Sequence, residues 1–502
     1  MVDLAHETRI DILRQAAQLL AAENERLHRR LLELTRALAE AKGETASQLE
    51  FEITRLAEQL AARNHQLFGD KSEKRKRSAG KPARAEQPGH GPRAQSELPI
   101  VEQVHELDAA DQICNACGGG LEAWEGQFEE AEEIDIVERT FRVVRHRRQK
   151  YRCRCGGCVE TALGPEKLIA GGRYSLDFAI AVAVEKYFNH MPLARQVRDM
   201  QRHGLVVDTQ TLWDQLWALS RLLEPSYLAL SHHVRQAPVI GADETTWRLM
   251  ESKGAKKWWA WAICRENAVY YELHATRSGA AAAAILDDYG GTVIADGYEV
   301  YQSLRKQRLA VNASSYRLAA CWAHARRRFV AAEPNYPQAT AVLDRIGWLY
   351  ELDSRARGGP AADLAALRRS AGRLIVDGIE AELKALRGSV LPRSSLGTAI
   401  AYTLELWPEL TRFLDDPAIP LDNNGTERAL RGVALGRKNH YGSRSERGIS
   451  VAAIFYSLIE SAKLCGVEPA AYLRAVALRS IRDPKRPVVL LPHQFRDETA
   501  AA

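Results

Sequence analysis

Two apolar runs that each stop at an aspartate limit what this chain can fold into. "APVIGAD" ends at Asp243 and "GTVIAD" ends at Asp296. Short runs rich in Val and Ile, bounded by Gly and Pro, read as buried strands. Between them, "KKWWAWAICRENAVYYELHATRS" (256–278) reads as a hairpin joined at Arg265–Asn267, and a helix follows from Ser278 to Asp288. Further on, "YRLAACWAHARRRF" (316–329) is a strand running into a helix. The order is strand, strand, strand, helix, strand, helix, strand. A three-strand meander followed by alternating elements is the order of a ribonuclease H-like mixed sheet.

In such a sheet the first and fourth strands are neighbours, so Asp243 and Asp296 emerge at one edge. Two carboxylates held together repel unless a divalent cation lies between them. Mg²⁺ suits the position because it takes one or two carboxylates plus substrate phosphate oxygens. A second ion, roughly 3.5–4 Å from the first, needs a third acid. Glu427 is the acid that "DNNGTERALRGVALGRKNHYGSRSERG" (422–448) offers, on a helix opening near Asp422. Arg428, Arg431, Arg437, Lys438, Arg444 and Arg447 surround it and suit DNA phosphates. Each acid alone has an ordinary reading: an aspartate at a strand end forms turns, and Glu427 can pair with Arg431 at i,i+4. Their joint occurrence with the strand order favours the metal. Trp247, Trp258 and Trp259 read first as hairpin core and second as stacking platforms for an unpaired base.

The rest of the chain is organised differently. Its 502 residues exceed one ordinary core, and 46% hydrophobic with 26% charged residues is a globular composition. With no long apolar run and a charged start, a cytoplasmic location is expected and no membrane partner. Leu13, Leu20, Leu27 and Leu34 recur every seven residues, with Ile10, Ala17, Asn24, Leu31 and Leu38 alongside. That heptad seam predicts a homodimer or higher oligomer, against the plainer reading of an amphipathic helix on its own domain. A Lys-, Arg-, Pro- and Gly-rich stretch then reads as a basic linker.

Five of the eight cysteines cluster. Cys114 and Cys117 form one C-x-x-C knuckle and Cys155 with Cys158 a second, with Cys153 as the alternative ligand. Together they predict a structural Zn²⁺ ribbon. Between the pairs, "FRVVRHRRQKYRCR" alternates like a strand with a basic face, in which Arg145, Arg147 and Arg148 suit phosphate. Residues 175–223 read as three helices. The pair around "HGLVVDT" resembles a helix-turn-helix with Asp208 or Thr209 as cap, although plain bundles contain such pairs too.

With these residues assembled, the chain resembles the transposases of the insertion sequence 66 family, of the Asp-Asp-Glu type. The likeness runs through "LFGDKSEK", the cysteine region, "MPLARQ", "ADET", "ADGY", "CWAHARRRF", "DNNGTERALR", "GRKN" and "IFYSLIESAKLCGVEPAAYL". It implies a ribonuclease H-like catalytic domain in which Asp243, Asp296 and Glu427 match the family's triad and hold two Mg²⁺ (or Mn²⁺) ions. It also implies a DNA-cleaving and DNA-joining activity on element ends and target, with helper proteins as further partners. Cys321 and His324, three apart on one helical face, match Cys-x-x-His pairs beside the active site of related transposases, with Arg326 and Arg327 as neighbouring DNA contacts. The extra cysteine in "YRCRCGGC" departs from the family pattern and leaves the second zinc pair open.

The expected fold class is multidomain α+β. It comprises a coiled-coil segment (1–69), the linker (70–100), the zinc ribbon (101–165) and a helix-turn-helix-like domain (166–236). The catalytic core follows (237–334), then a helical insertion (335–415), the Glu427 helix with its basic loop (416–448), and a helical tail (449–502). Two rival functions are a structure-specific nuclease of the same fold, and a DNA-binding protein derived from a transposase that no longer catalyses.

Overall fold

The computed structural model describes residues 140–152, 159–251, 254–356, 358–486 and 488–500, together with Arg26, Arg29, Arg30 and Glu33. Those four are helical and exposed, and Arg30 pairs with Glu33 at 3.2 Å. The leucine seam, the basic linker and Cys114, Cys117, Cys153, Cys155 and Cys158 lie outside the described residues.

A short ribbon comes first, with β1 (Lys150–Arg152) antiparallel to β2 (Val159–Thr161). The alternation in "FRVVRHRRQKYRCR" predicts a longer strand. The partner strand offers only three residues, so after the bond from Ala162 N to the Gln149 carbonyl (2.9 Å) residues 142–148 gain no ladder and stay exposed. Arg148 Nε donates to the Ala162 carbonyl at 2.6 Å.

Three helices follow: α1 (Leu176–Tyr187), α2 (Leu193–Arg202) and α3 (Thr209–Arg235). The turn before α3 uses Gly204 at φ 80°, and Asp208 is the N-cap, accepting from Thr211 N at 2.6 Å.

The central sheet holds β3 (Val239–Glu251), β4 (Gly254–Arg265), β5 (Ala268–His274), β6 (Thr292–Ala295) and β7 (Arg317–Ala320). Its order is β5-β4-β3-β6-β7, with β3–β4–β5 antiparallel and β6 and β7 joined parallel to β3. Helices α4 (Gly279–Leu286) and α5 (Glu299–Ala310) make the crossovers. Successive side chains on β6 enter different cores: Val293 and Ala295 pack in one cluster and Ile294 in the other. Burial on both faces is why these strands are apolar throughout.

The second core joins Ile294, Ala319 and Ala320 of the sheet to the helices that follow it. Helices α6 (Trp322–Ala332), α7 (Ala339–Arg355), α8 (Ala361–Leu367), α9 (Arg373–Arg387), α10 (Ser395–Glu405) and α11 (Trp407–Leu410) bury Trp322, Phe329, Ile346 and Ile400 together. The chain returns through α12 (Asn424–His440), α13 (Glu446–Leu464), α14 (Pro469–Arg482) and α15 (Pro492–Ala500). Helix α13 covers the open edge of the sheet: Val269 N and Tyr271 N donate to Ser461 Oγ (3.0 Å) and Ser457 Oγ (2.9 Å). Two serines one helical turn apart thus satisfy strand amides that no further strand reaches. Among the described residues no helix is long and apolar enough to cross a membrane.

Candidate active site

The parallel pairing of β3 with β6 fixes the first two acids. Val239 lies opposite Thr292, Ile240 opposite Val293 and Gly241 opposite Ile294, an offset of 53 residues (292 − 239). Asp243 and Asp296 share that offset (296 − 243 = 53) and lie two residues beyond the last pair. Because strand side chains alternate, equal register gives both the same side of the sheet.

Glu427 arrives from far along the chain, in the first turn of α12. Buried Asn423, just before that helix, donates from Nδ2 to the Ala242 carbonyl at 2.9 Å and accepts from Thr426 Oγ1 at 2.7 Å. The approach depends on Gly241, where a Cβ would stand 2.1 Å from Thr426 Oγ1 and 2.3 Å from Asn423 Oδ1. The asparagine therefore ties the Glu427 helix to the residue next to Asp243. At the far end of α12, Arg437 bonds to Thr245 and Thr246 of β3, and Ser443 pairs with the strand through Met250 N (2.7 Å) and the Arg248 carbonyl (3.0 Å). Both ends of α12 are sewn to the strand that carries Asp243.

Burial pushes Asp243 up to about 7; the charges of Glu244, Asp296 and Glu427 add to the rise, and a bond from Glu244 N (2.8 Å) opposes it. The three acids are thus close enough to feel one another. Glu427 also lies 3.6 Å from His324 Nδ1 through Oε1 and 3.5 Å from Arg327 through Oε2. Burial lowers His324 below its ordinary value, more than the Glu427 charge raises it. Both His324 Nδ1 and Glu427 Oε1 are buried without a hydrogen-bond partner.

Sequence reasoning missed Glu244, although "ADET" contains it. Its side chain is only 2% exposed and is ion-paired with Arg277, whose Nε donates at 2.7 Å. Tyr301 donates to its other oxygen at 3.2 Å. The Arg277 guanidinium lies 3.9 Å from the Tyr298 ring centroid and 5.1 Å from that of Trp259. A buried acid needs such company. Asn423 and Gly241 also went unread, because only the fold shows what "DNN" and "IGAD" press against.

The predicted DNA contacts are distributed unevenly. Arg428, Arg431, Lys438, Arg444 and Arg447 are exposed, and Arg447 stacks on Trp217 at 4.9 Å. Arg437 is half-buried and bound to β3. Arg327 is exposed beside Glu427, Arg326 is half-buried, and Arg145, Arg147 and Arg148 are exposed near the short ribbon. Trp247 belongs to the core, donating to Ser443 Oγ at 3.2 Å, while Trp258 and Trp259 are half-buried.

These acids fit a hard divalent cation: gathered carboxylates, one raised by burial and its neighbours and one with a buried unpartnered oxygen, are what such an ion would relieve. A five-strand mixed sheet in this order, with Asp243 and Asp296 in equal register on neighbouring parallel strands, is consistent with a ribonuclease H-like core. Only Asp296 stands at a strand end as expected: β3 runs on past Asp243 to Glu251 because β4 pairs with it that far.

The chain belongs to the IS66 family of transposases. Residues 171–451 match the family model described as "Transposase IS66 family", and residues 111–156 match the "zinc-finger binding domain of transposase IS66". The second match spans Cys114, Cys117, Cys153 and Cys155 and ends short of Cys158. Three proteins of Sinorhizobium fredii (strain NBRC 101917 / NGR234) are similar. "Uncharacterized protein y4jD" is 32% identical over 389 residues, covering 75% of this chain and 76% of that protein. "Uncharacterized protein y4qI" is 31% identical over 418 residues (80% and 76%), and "Uncharacterized protein y4hP" is 26% identical over 426 (80% and 76%). Family membership carries a transposase role, DNA as partner and a zinc-binding domain.

Proposed function

We propose that this chain cleaves the ends of its insertion element and joins them to target DNA by metal-dependent phosphoryl transfer, with Asp243, Asp296 and Glu427 as the metal-holding acids. The observation that carries the reading is the shared register of Asp243 and Asp296, with Glu427 docked onto the same strand through Asn423. Two Mg²⁺ (or Mn²⁺) ions, when bound, would supply Lewis-acid stabilisation of the phosphorane-like charge and activation of the attacking oxygen. The chain's own residues do the rest. Asp243 and Asp296 present oxygens from a rigid sheet edge, and Arg327 holds one Glu427 oxygen so that the carboxylate keeps its orientation. Water would open the phosphodiester at the element end to leave a 3′-hydroxyl, and that hydroxyl would displace a target phosphodiester in the same site. Exposed Arg428, Arg431, Lys438, Arg444 and Arg447 would hold the strands, and Cys114 and Cys117 with two of Cys153, Cys155 and Cys158 would fix the zinc domain. Assembly through the N-terminal heptads would bring two element ends together.

Purified protein with labelled element ends, a target plasmid and Mg²⁺ tests this. Cleavage and joining are expected from the wild type and neither from Asp243→Ala. Equal cleavage by the two proteins would overturn the assignment of the acids, and cleavage without joining would make the protein a nuclease.

A further inference from the structure

Beside the aspartates lies a cluster of softer donors. Cys321 Sγ, one His324 nitrogen and one Glu427 oxygen all lie within 4.8 Å of one another. His324 Nδ1 and Glu427 Oε1 are the buried atoms without partners, 3.6 Å apart. Neighbouring ligands around a tetrahedral zinc, with bonds of 2.0–2.3 Å, stand about 3.4 Å apart. That pair is already spaced for one ion, and drawing Cys321 in needs a shift of about 1 Å.

The thiol is placed for the part. Cys321 is fully buried as the N-cap of the eleven-residue α6, and Asn423 N donates to its sulfur at 3.2 Å. Burial pushes the Cys321 thiol up to about 11, more than the Asn423 N–H lowers it, so a bound cation would have to draw off the proton. Trp322 N donates to the Leu421 carbonyl at 2.9 Å, so the Cys321 turn and the segment entering α12 are pinned to each other. All three donors therefore stand on one rigid corner. Sulfur, imidazole and carboxylate form a donor set that selects a borderline thiophilic ion over Mg²⁺, which prefers oxygen.

We propose that Cys321 Sγ, His324 Nδ1 and Glu427 Oε1 form a second divalent-cation site, selective for a zinc-type ion and sharing only Glu427 with the hard-cation site of the aspartates. Binding replaces the Cys321 S–H bond with an S–metal bond and releases the proton to solvent. A water fills the fourth position. Because Glu427 belongs to both sites, occupancy of the zinc-type site withdraws it from Asp243 and Asp296. That consequence alone rests on the proposed function.

The test uses the full-length chain with its zinc-finger metal in place. Wild type, Cys321→Ser and His324→Gln are equilibrated with buffered micromolar Zn²⁺, and metal per chain is measured with circular dichroism as the check on folding. The expected result is one zinc fewer in each variant, with affinity at that site weakened at least about 100-fold, beyond the loss of an outer-shell partner. Equal zinc content in wild type and folded His324→Gln overturns the site, whether or not Cys321→Ser folds. This readout is independent of cleavage, so its failure is distinct from failure of the transposase chemistry. In Mg²⁺-driven cleavage, added Zn²⁺ should slow the wild type at least about tenfold more than His324→Gln, each relative to its own zinc-free rate. Equal inhibition overturns the competition for Glu427.

Discussion

Adjacent residues of β3 face two regions of opposite electrostatic character. Asp243 meets burial, one backbone N–H and the charges of three other carboxylates, and rises to about 7. Glu244 is also raised by burial, but Arg277 and Tyr301 bond to it and offset part of the rise. The second region is complete in the protein alone. The first gathers carboxylates around Asp243, with Arg327 and His324 against Glu427, a surplus of like charge that an external cation would relieve. Two acids side by side in sequence thus have different surroundings: Glu244 is paired with Arg277, and Asp243, on the proposed function, is the one that would take a cation.

The largest expected effect breaks the first region. Asp243→Asn should lower cleavage by about 10³-fold, in the range seen when one electrostatic stabiliser is removed from an active site. The same change should stabilise the Mg²⁺-free protein. The folded carboxyl is raised from its ordinary 3.8 to about 7. Between those values the unfolded chain loses a proton that the folded chain keeps, so stability falls as pH rises through the window and levels off above it. At about 1.4 kcal/mol per unit the difference from Asp243→Asn approaches about 4 kcal/mol as an upper bound. Thermal unfolding of both proteins from pH 4 to 8 without Mg²⁺ should show the gap opening with pH, and added Mg²⁺ should close it. Parallel curves would mean that neither burial nor the neighbouring carboxylates raise Asp243.

The next effect concerns how Glu427 is carried to the aspartates. Gly241→Ala places a methyl against Asn423 and Thr426, at separations no real contact shows. Displacing the start of α12 by about 1 Å should cost about 10²-fold in cleavage, with about 1–3 kcal/mol of stability lost to overpacking. Asn423→Ala removes the bond to the Ala242 carbonyl and should act in the same direction more weakly. Cleavage rates and melting temperatures of both variants check this. If Gly241→Ala cleaved at the wild-type rate, the docking of α12 on β3 would have no part in placing Glu427.

These residues mark where the sequence stops being readable. The sheet order and its two aspartates were legible because strand periodicity is local and the register follows from topology. The hairpin turn at Arg265–Asn267 was legible for the same reason, since β4 ends at Arg265 and β5 begins at Ala268. Asn423 was not, because its partner is the backbone 181 residues away. Arg437 looked like any cation of a basic loop, yet it binds Thr245 and Thr246, a contact that composition cannot express. Ser457 and Ser461 likewise read as ordinary helix positions until the bare edge of β5 supplies their reason. Long-range polar contacts leave no periodic trace, and they are what fixes this site.

The smallest expected effect tests the completed region. Arg277→Ala leaves Glu244 buried with only Tyr301 to bond it, and an orphaned buried acceptor costs about 1–3 kcal/mol. Adding Glu244→Gln removes the stranded charge, so the double variant should recover most of that loss even though a second residue has been altered. Cleavage should fall less than about tenfold in the double variant, since the pair contributes scaffold and not a metal-holding oxygen. Chemical denaturation of the two single variants, the double variant and the wild type gives the coupling directly. If Glu244→Gln failed to rescue Arg277→Ala and instead abolished cleavage by itself, Glu244 would have to join Asp243 and Asp296 as a working acid, and the contrast between the two sides of β3 would disappear.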